Sequence, residues 1–243
     1  ELEPNTLSSM PEIVYLDAEG NEVASDSPDL AYSDYLFELT PGIYYQPHPA
    51  LALDTSGAPV YAFESLDDAE PYSSLNDFSE TGTRELVAED YAYQLKRLAD
   101  PTLLSPIRGL MSEYILGMNE FAEVAKAERE AQQEGEWLDL RTLDFSGVEV
   151  IDRYRFRIRL KGKYPQFSYC LAFHFFAPIP FEADRFYSMP GMADKNITLD
   201  WYPIGTGPYM MTQNDPNEAI ILEKNPNYRD DFYPAEGEIS DRT

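Results

Sequence analysis

Val148-Glu-Val-Ile-Asp-Arg-Tyr-Arg-Phe-Arg-Ile-Arg-Leu160 decides how this chain is read. Tyr154, Phe156, Ile158 and Leu160 alternate with Arg155, Arg157 and Arg159. Successive strand side chains point to opposite faces, so this spacing predicts a strand with one buried and one charged face. Arg153 through Lys163 hold six of the eighteen basic residues. Arginine forks would suit an anion or carboxylate site. The simpler reading is a solvent-facing row that pairs with acids across a sheet.

Working outward, Glu12–Leu16 and Tyr35–Leu39 read as strands. Asp17-Ala-Glu-Gly-Asn21 is a turn with glycine where positive φ costs little. Residues 44–83, rich in Pro, Ser, Asp and Gly, read as a long surface excursion. Ala88–Ala99 predicts a helix with Tyr91, Leu95 and Leu98 on one stripe, stopped by Pro101. One longer helix is expected from Ile107 to Gln133, with Gly135 at its end. An aromatic stretch, Tyr164–Phe181, a Pro203-Ile-Gly-Thr-Gly-Pro208 cluster and a last strand, Ala219–Glu223, follow.

The 243 residues include 18 tyrosines and 13 phenylalanines, enough for a real core. With 44 acidic and 18 basic residues the net charge is −26. That charge argues against nucleic acid and anionic lipid as partners, and no apolar run is long enough for a membrane span. Cys170, a lone cysteine in an aromatic run, reads as a small buried hydrophobe. His48 and His174 stand in different contexts, with no metal-ligand spacing around either. No nucleophile elbow or phosphate loop is present, and Gly205-Thr-Gly207 runs into Pro208 without a third glycine. Neither a metal nor a cofactor is expected. Paired carboxylates stay open as a hydrolase alternative, since 44 acids offer many pairs and no way to choose one.

Four blocks in order carry a family resemblance. They are Tyr35-Leu-Phe-Glu-Leu-Thr-Pro-Gly-Ile43, the Glu85–Pro101 helix block, Val148–Leu160 with Pro165–Pro180, and Pro203-Ile-Gly-Thr-Gly-Pro-Tyr209 with Leu222-Glu-Lys-Asn-Pro-Asn-Tyr228. Together they resemble extracellular solute-binding proteins of family 5, the oligopeptide- and dipeptide-binding components of ABC importers. Two departures stand out. Val87 occupies a position where the family often has a helix-capping threonine, so the cap must come from elsewhere. The 44–83 stretch is also longer than the family's usual link.

The resemblance implies a mixed α/β (α+β) fold, periplasmic binding protein type II-like and partial. Residues 1–175 would form a small mixed domain and 176–243 the beginning of a large α/β lobe, the second lobe being absent. It implies a periplasmic protein that closes two lobes on a peptide or other small solute and hands it to an inner-membrane ABC permease. No catalytic residue is implied. Ile107, Phe173 and His174 match cleft-facing, ligand-binding positions, and Gly205, Thr206 and Gly207 match a structural turn near the cleft. For each, ordinary packing is the competing reading. A fragment with half a cleft would bind cargo weakly or not at all. A secreted carboxylate-dependent hydrolase and a sensing or adhesion module on the same fold are the alternatives.

Overall fold

The computed structural model describes residues 2–132 and 136–229. The arginine strand lies inside a four-stranded antiparallel sheet: β1 (Glu12–Leu16), β2 (Tyr32–Glu38), β3 (Val148–Val150) and β4 (Arg155–Lys161), in the order β1-β2-β4-β3. Phe156, Ile158 and Leu160 are buried, and the arginines between them are not. Register sets Arg157 and Arg159 beside acids. Asp34 faces Arg159, which grips it through Nε and Nη2 at 2.6 and 2.7 Å, and Arg157 reaches it at 3.2 Å. Arg157 also pairs with Glu149, Arg155 with Asp152, and Arg153 with Glu85. The four arginines of the row are thus committed to carboxylates, Arg157 and Arg159 across the sheet.

The other face of the sheet is covered by α1 (Ala88–Ala99). Tyr91 stacks on Phe156 with centroids 5.1 Å apart, and Phe156 stacks on Phe37 at 4.6 Å. Val87 stands at the N-cap, where its side chain cannot accept a hydrogen bond. The helix is held from inside instead: the Val87 amide donates to Asp90 Oδ2 at 3.0 Å.

The single helix expected over 107–133 is two. α2 (Arg108–Tyr114) ends before Ile115, which bridges to Leu160, and α3 (Met118–Ala131) begins after Gly117 at φ +72°. The apolar period runs through the break, so periodicity could not show it. Pinning Ile115 to the sheet opposes one straight rod. Gly117 supplies the left-handed turn that reconciles the two, since a side chain there would be strained and would press on Ser146. The expected end at Gly135 lies outside the described residues.

The excursion at 44–83 is less superficial than its composition suggests. Tyr45, His48 and Ala69 are fully buried, and single 3₁₀ turns form at Pro49–Leu51, Leu66–Ala69 and Leu75–Asp77. Tyr61, Tyr72 and Phe78 pack on one another, and Phe78 meets Phe186 of α5 (Phe181–Tyr187) at 5.1 Å. Polar turn residues at the tip hide an aromatic anchor. The stretch is sealed at its base where His48 and Gly82 exchange backbone hydrogen bonds of 2.9 and 3.1 Å. A Cβ on Gly82 would sit 2.0 Å from the Leu51 carbonyl oxygen, a backbone atom that cannot swing away. Gly82→Ala is therefore expected to lose about 2–4 kcal/mol, read as a lowered urea midpoint with unchanged slope.

α4 (Phe167–Leu171) buries Cys170 and Phe167, and α5 follows. The α5 acids tie it to its neighbours: Asp184 to Tyr93 and Arg97 of α1 and to Trp137, and Glu182 to Arg84 just ahead of α1. A hairpin of β5 (Tyr209–Asp215) and β6 (Ala219–Lys224) completes the described chain.

Candidate functional site: an apolar cleft beside the sheet

A cavity of about 690 Å³ opens between α1, the sheet and the turn that leads into β5. Phe37 and Phe156 form its sheet wall, and Tyr91 and Leu95 its helix wall. The segment after α4 contributes Phe173 and His174, and Ile204–Pro208 closes a further side. The N-terminal segment 2–7 runs along the rim, tied to α1 by a 2.5 Å hydrogen bond between the Thr6 and Tyr91 hydroxyls. Most of this wall is carbon and aromatic face, so the cleft offers apolar surface with few polar anchors.

Five of the six expected site residues meet here: Phe173, His174, Gly205, Thr206 and Gly207. Phe173 is 57% exposed despite its large apolar ring, and His174 is exposed beside it with its ring 4.2 Å from Phe175. Ile107 is elsewhere. It is half-buried against the core at the start of α2 and does not line the cleft. Its neighbour Leu104 adopts a left-handed backbone (φ +49°) and is 85% exposed.

The glycine turn is held by its neighbours. Gln46 donates its amide to the Gly205 carbonyl (2.9 Å), and its side-chain oxygen accepts from the Gly205 amide (3.2 Å). Asn225 donates its side-chain amide to the Gly207 carbonyl and its backbone amide to the Pro208 carbonyl, both at 2.9 Å. Neither Gly205 nor Gly207 needs a positive φ, and a Cβ at either meets no close atom. Their missing side chains leave this side of the cleft open while the backbone is clamped.

Two polar clusters lie outside the cleft lining. Arg84 donates in pairs to Asp90 (2.9 and 2.6 Å) and to Glu182 (2.8 and 2.7 Å). Burial pushes the Asp90 carboxyl up, while the Arg84 guanidinium and the Val87 amide pull it down. His48 Nδ1 accepts from the Ala50 amide, which leaves Nε2–H to donate to the Tyr187 hydroxyl at 2.8 Å. The Tyr187 hydroxyl in turn donates to the Tyr202 carbonyl at 2.5 Å. With no charged partner, burial alone drops the His48 pKa to about 3 and keeps the ring neutral. Spacing in the sequence does not signal the Arg84–Glu182 or His48–Tyr187 contacts, because these partners stand 98 and 139 positions apart. Among the described residues, no three His, Cys, Asp or Glu side chains are grouped to hold a metal ion. No described helix is long and apolar enough to cross a membrane.

Residues 79–239 match the family described as bacterial extracellular solute-binding proteins, family 5, middle region. The chain belongs to this family. Within it, the periplasmic oligopeptide-binding protein OppA of Salmonella typhimurium (strain LT2) is 24% identical over 165 residues, covering 64% of this chain and 27% of that protein. Two solved structures share the fold: the pheromone receptor PrgZ (TM-score 0.51, 14% identity) and DppA of Helicobacter pylori in complex with the peptide STSA (TM-score 0.51, 19% identity). Each match covers 94% of this chain but only 32% and 31% of the other. The chain thus spans about a third or less of these relatives. The family 5 membership and the periplasmic-binding-protein fold agree with the order of sequence blocks, and the family is one of binding proteins.

Proposed function

We propose that this chain is part of the substrate-binding component of an ABC importer, taking up peptides in the cleft between α1 and the Gly205 turn. It would serve as a periplasmic receptor that closes on its cargo and delivers it to an inner-membrane permease, with no chemistry done on the cargo. Residues 1–175 would be its small domain and 176–243 the start of its larger lobe. One observation carries the reading: a family 5 chain holds an open apolar cleft onto which Phe173 projects an exposed ring beside His174. A large ring left in water costs free energy unless something is meant to cover it. The relatives' names point to peptide cargo, since OppA is an oligopeptide-binding protein and the DppA structure holds a peptide.

The full-length protein, purified without denaturation and examined by native mass spectrometry, is expected to retain short peptides. A consistent sugar would overturn the peptide reading. Phe173→Ala should spare the fold, because the ring is already more than half exposed. It should weaken peptide binding by about tenfold, the usual scale for truncating an aromatic contact. Unchanged affinity in calorimetry would remove Phe173 from the site. Substrate turnover that vanished with one acid pair would favour a hydrolase instead.

A further inference from the structure

A second depression, about 420 Å³, lies on the far side of α1, where the helix overhangs the outer strand of the sheet. It belongs to neither the cleft nor the two polar clusters. Ala92 of α1 and Val148 and Val150 of β3 supply its apolar lining. Glu89, Lys96, Arg141 and Asp144 supply charge.

Lys96 is the feature without a structural purpose. It is 8% exposed, yet its ammonium makes one hydrogen bond, 3.3 Å to the Arg141 carbonyl, and no ion pair among the described residues. A buried ammonium has three donors and is costly to hide unpaired. Glu89, half-buried two turns earlier on the same stripe of α1, likewise has no hydrogen bond or ion pair among the described residues. The two act on each other through space, Glu89 being the acid that most strongly supports the charge on Lys96, followed by Asp144. Arg141 is already committed: Asp139 binds it at 2.6 Å and its guanidinium lies over the Phe181 ring. A cation and an anion therefore face one cavity without touching.

The edge of β3 adds backbone groups. Gly147 accepts from the Arg159 amide and Ile151 donates to the Arg155 carbonyl, so by antiparallel alternation Val148 and Val150 direct their groups outward. The Val148 amide is used by the Phe145 carbonyl, which leaves the Val148 carbonyl and both Val150 groups on the open side.

We propose that this depression binds a small zwitterion, a free α-amino acid with an apolar side chain, its carboxylate on Lys96 and its ammonium on Glu89. Charge complementarity selects this class. A lone anion meets Glu89 and Asp144, and a lone cation meets Lys96 and Arg141. A molecule carrying both charges satisfies both ends and adds no net charge to a chain already at −26. Its side chain rests on Ala92 and the two valines. The site goes beyond the cleft reading and stands whether or not the cleft holds peptides.

The test uses L-leucine, N-acetyl-leucine and leucinamide, titrated into ¹⁵N-labelled protein. Leucine should give saturable amide shifts at Ala92, Lys96, Val148 and Val150. The analogues each lack one charge and should bind at least about tenfold more weakly, the scale of one charge-assisted hydrogen bond. Lys96→Met should abolish the shifts, whereas Phe173→Ala, a cleft variant, should leave them intact. Equal binding of N-acetyl-leucine, leucine shifts that survive Lys96→Met, or no saturable shift by about 10 mM, a concentration that would expose even weak sites, would overturn the proposal. Should Lys96→Met fail to fold, Glu89→Gln at the half-exposed end of the stripe provides the same comparison. The analogue series needs no variant at all.

Discussion

Arg84→Met is expected to destabilise the protein by about 3–5 kcal/mol at neutral pH, the usual scale for stripping one partner from a buried ion pair. In a domain of this size that lowers the melting temperature by roughly 10 °C. One guanidinium holds two carboxylates through four hydrogen bonds, and Asp90 is only 1% exposed. Methionine keeps much of the volume but leaves both acids to face each other. The pH dependence separates this cause from lost packing. Burial already raises the Asp90 pKa against the pull of Arg84, and without Arg84 only the Val87 amide still opposes it. A carboxyl whose folded pKa is raised penalises the fold above that pKa, and the penalty fades as pH falls through it. The gap between variant and parent should therefore narrow on acidification. A gap that stayed constant between pH 7 and pH 4 in urea titrations would point to packing instead.

The second large effect comes from His48. Its folded pKa is about 3 and its unfolded value is the ordinary 6.5. Above 6.5 the ring is neutral in both states and contributes no pH dependence. Below it the unfolded chain takes up a proton that the folded chain refuses. Stability then falls by about 1.4 kcal/mol per pH unit until the folded pKa is reached. At pH 5 the loss is about 2 kcal/mol, with roughly as much again or more before pH 3. His48→Gln retains hydrogen-bonding groups for Tyr187 and Ala50 but has nothing to titrate. Its stability should start lower and decline less steeply over the same range. Parallel profiles for parent and variant would show that His48 is not responsible. The consequence reaches the cleft: His48 braces Tyr187 and Tyr202 next to Ile204 and Gly205, so acid should loosen the glycine turn before the sheet.

Much of the architecture was legible because it rests on periodicity and composition. Alternation named β4, the Tyr91–Leu95–Leu98 stripe gave α1 its limits, and Asp17–Asn21 gave the first turn. Where two structures share one pattern, legibility stopped. The apolar period across 107–133 suits one helix or two, and only the bridge of Ile115 to Leu160 with the conformation of Gly117 chooses two. The 44–83 stretch misled through its turn residues, because Tyr61, Phe63, Tyr72 and Phe78, scattered among Pro, Ser and Asp, come together in space and meet Phe186 of α5. At the candidate site, motif order brought out Phe173, His174 and the glycine turn. Alternation and helical period place Phe156 and Tyr91 on apolar faces, and Phe37 reads only as part of a strand, yet all three line the cleft.

By itself, then, the amino-acid sequence determined strand β4 and helix α1, the alternation that puts the arginines on one face of that strand, and the family to which the chain belongs. These depend on nearest neighbours along the chain and on the order of short blocks. Tertiary structure alone decided that Arg84 joins Asp90 to Glu182, that His48 rests unprotonated against Tyr187, and that Lys96 and Glu89 look across an open space. Each of those facts depends on how far apart groups lie in three dimensions and how much water is left around them, and no one-dimensional pattern encodes either quantity.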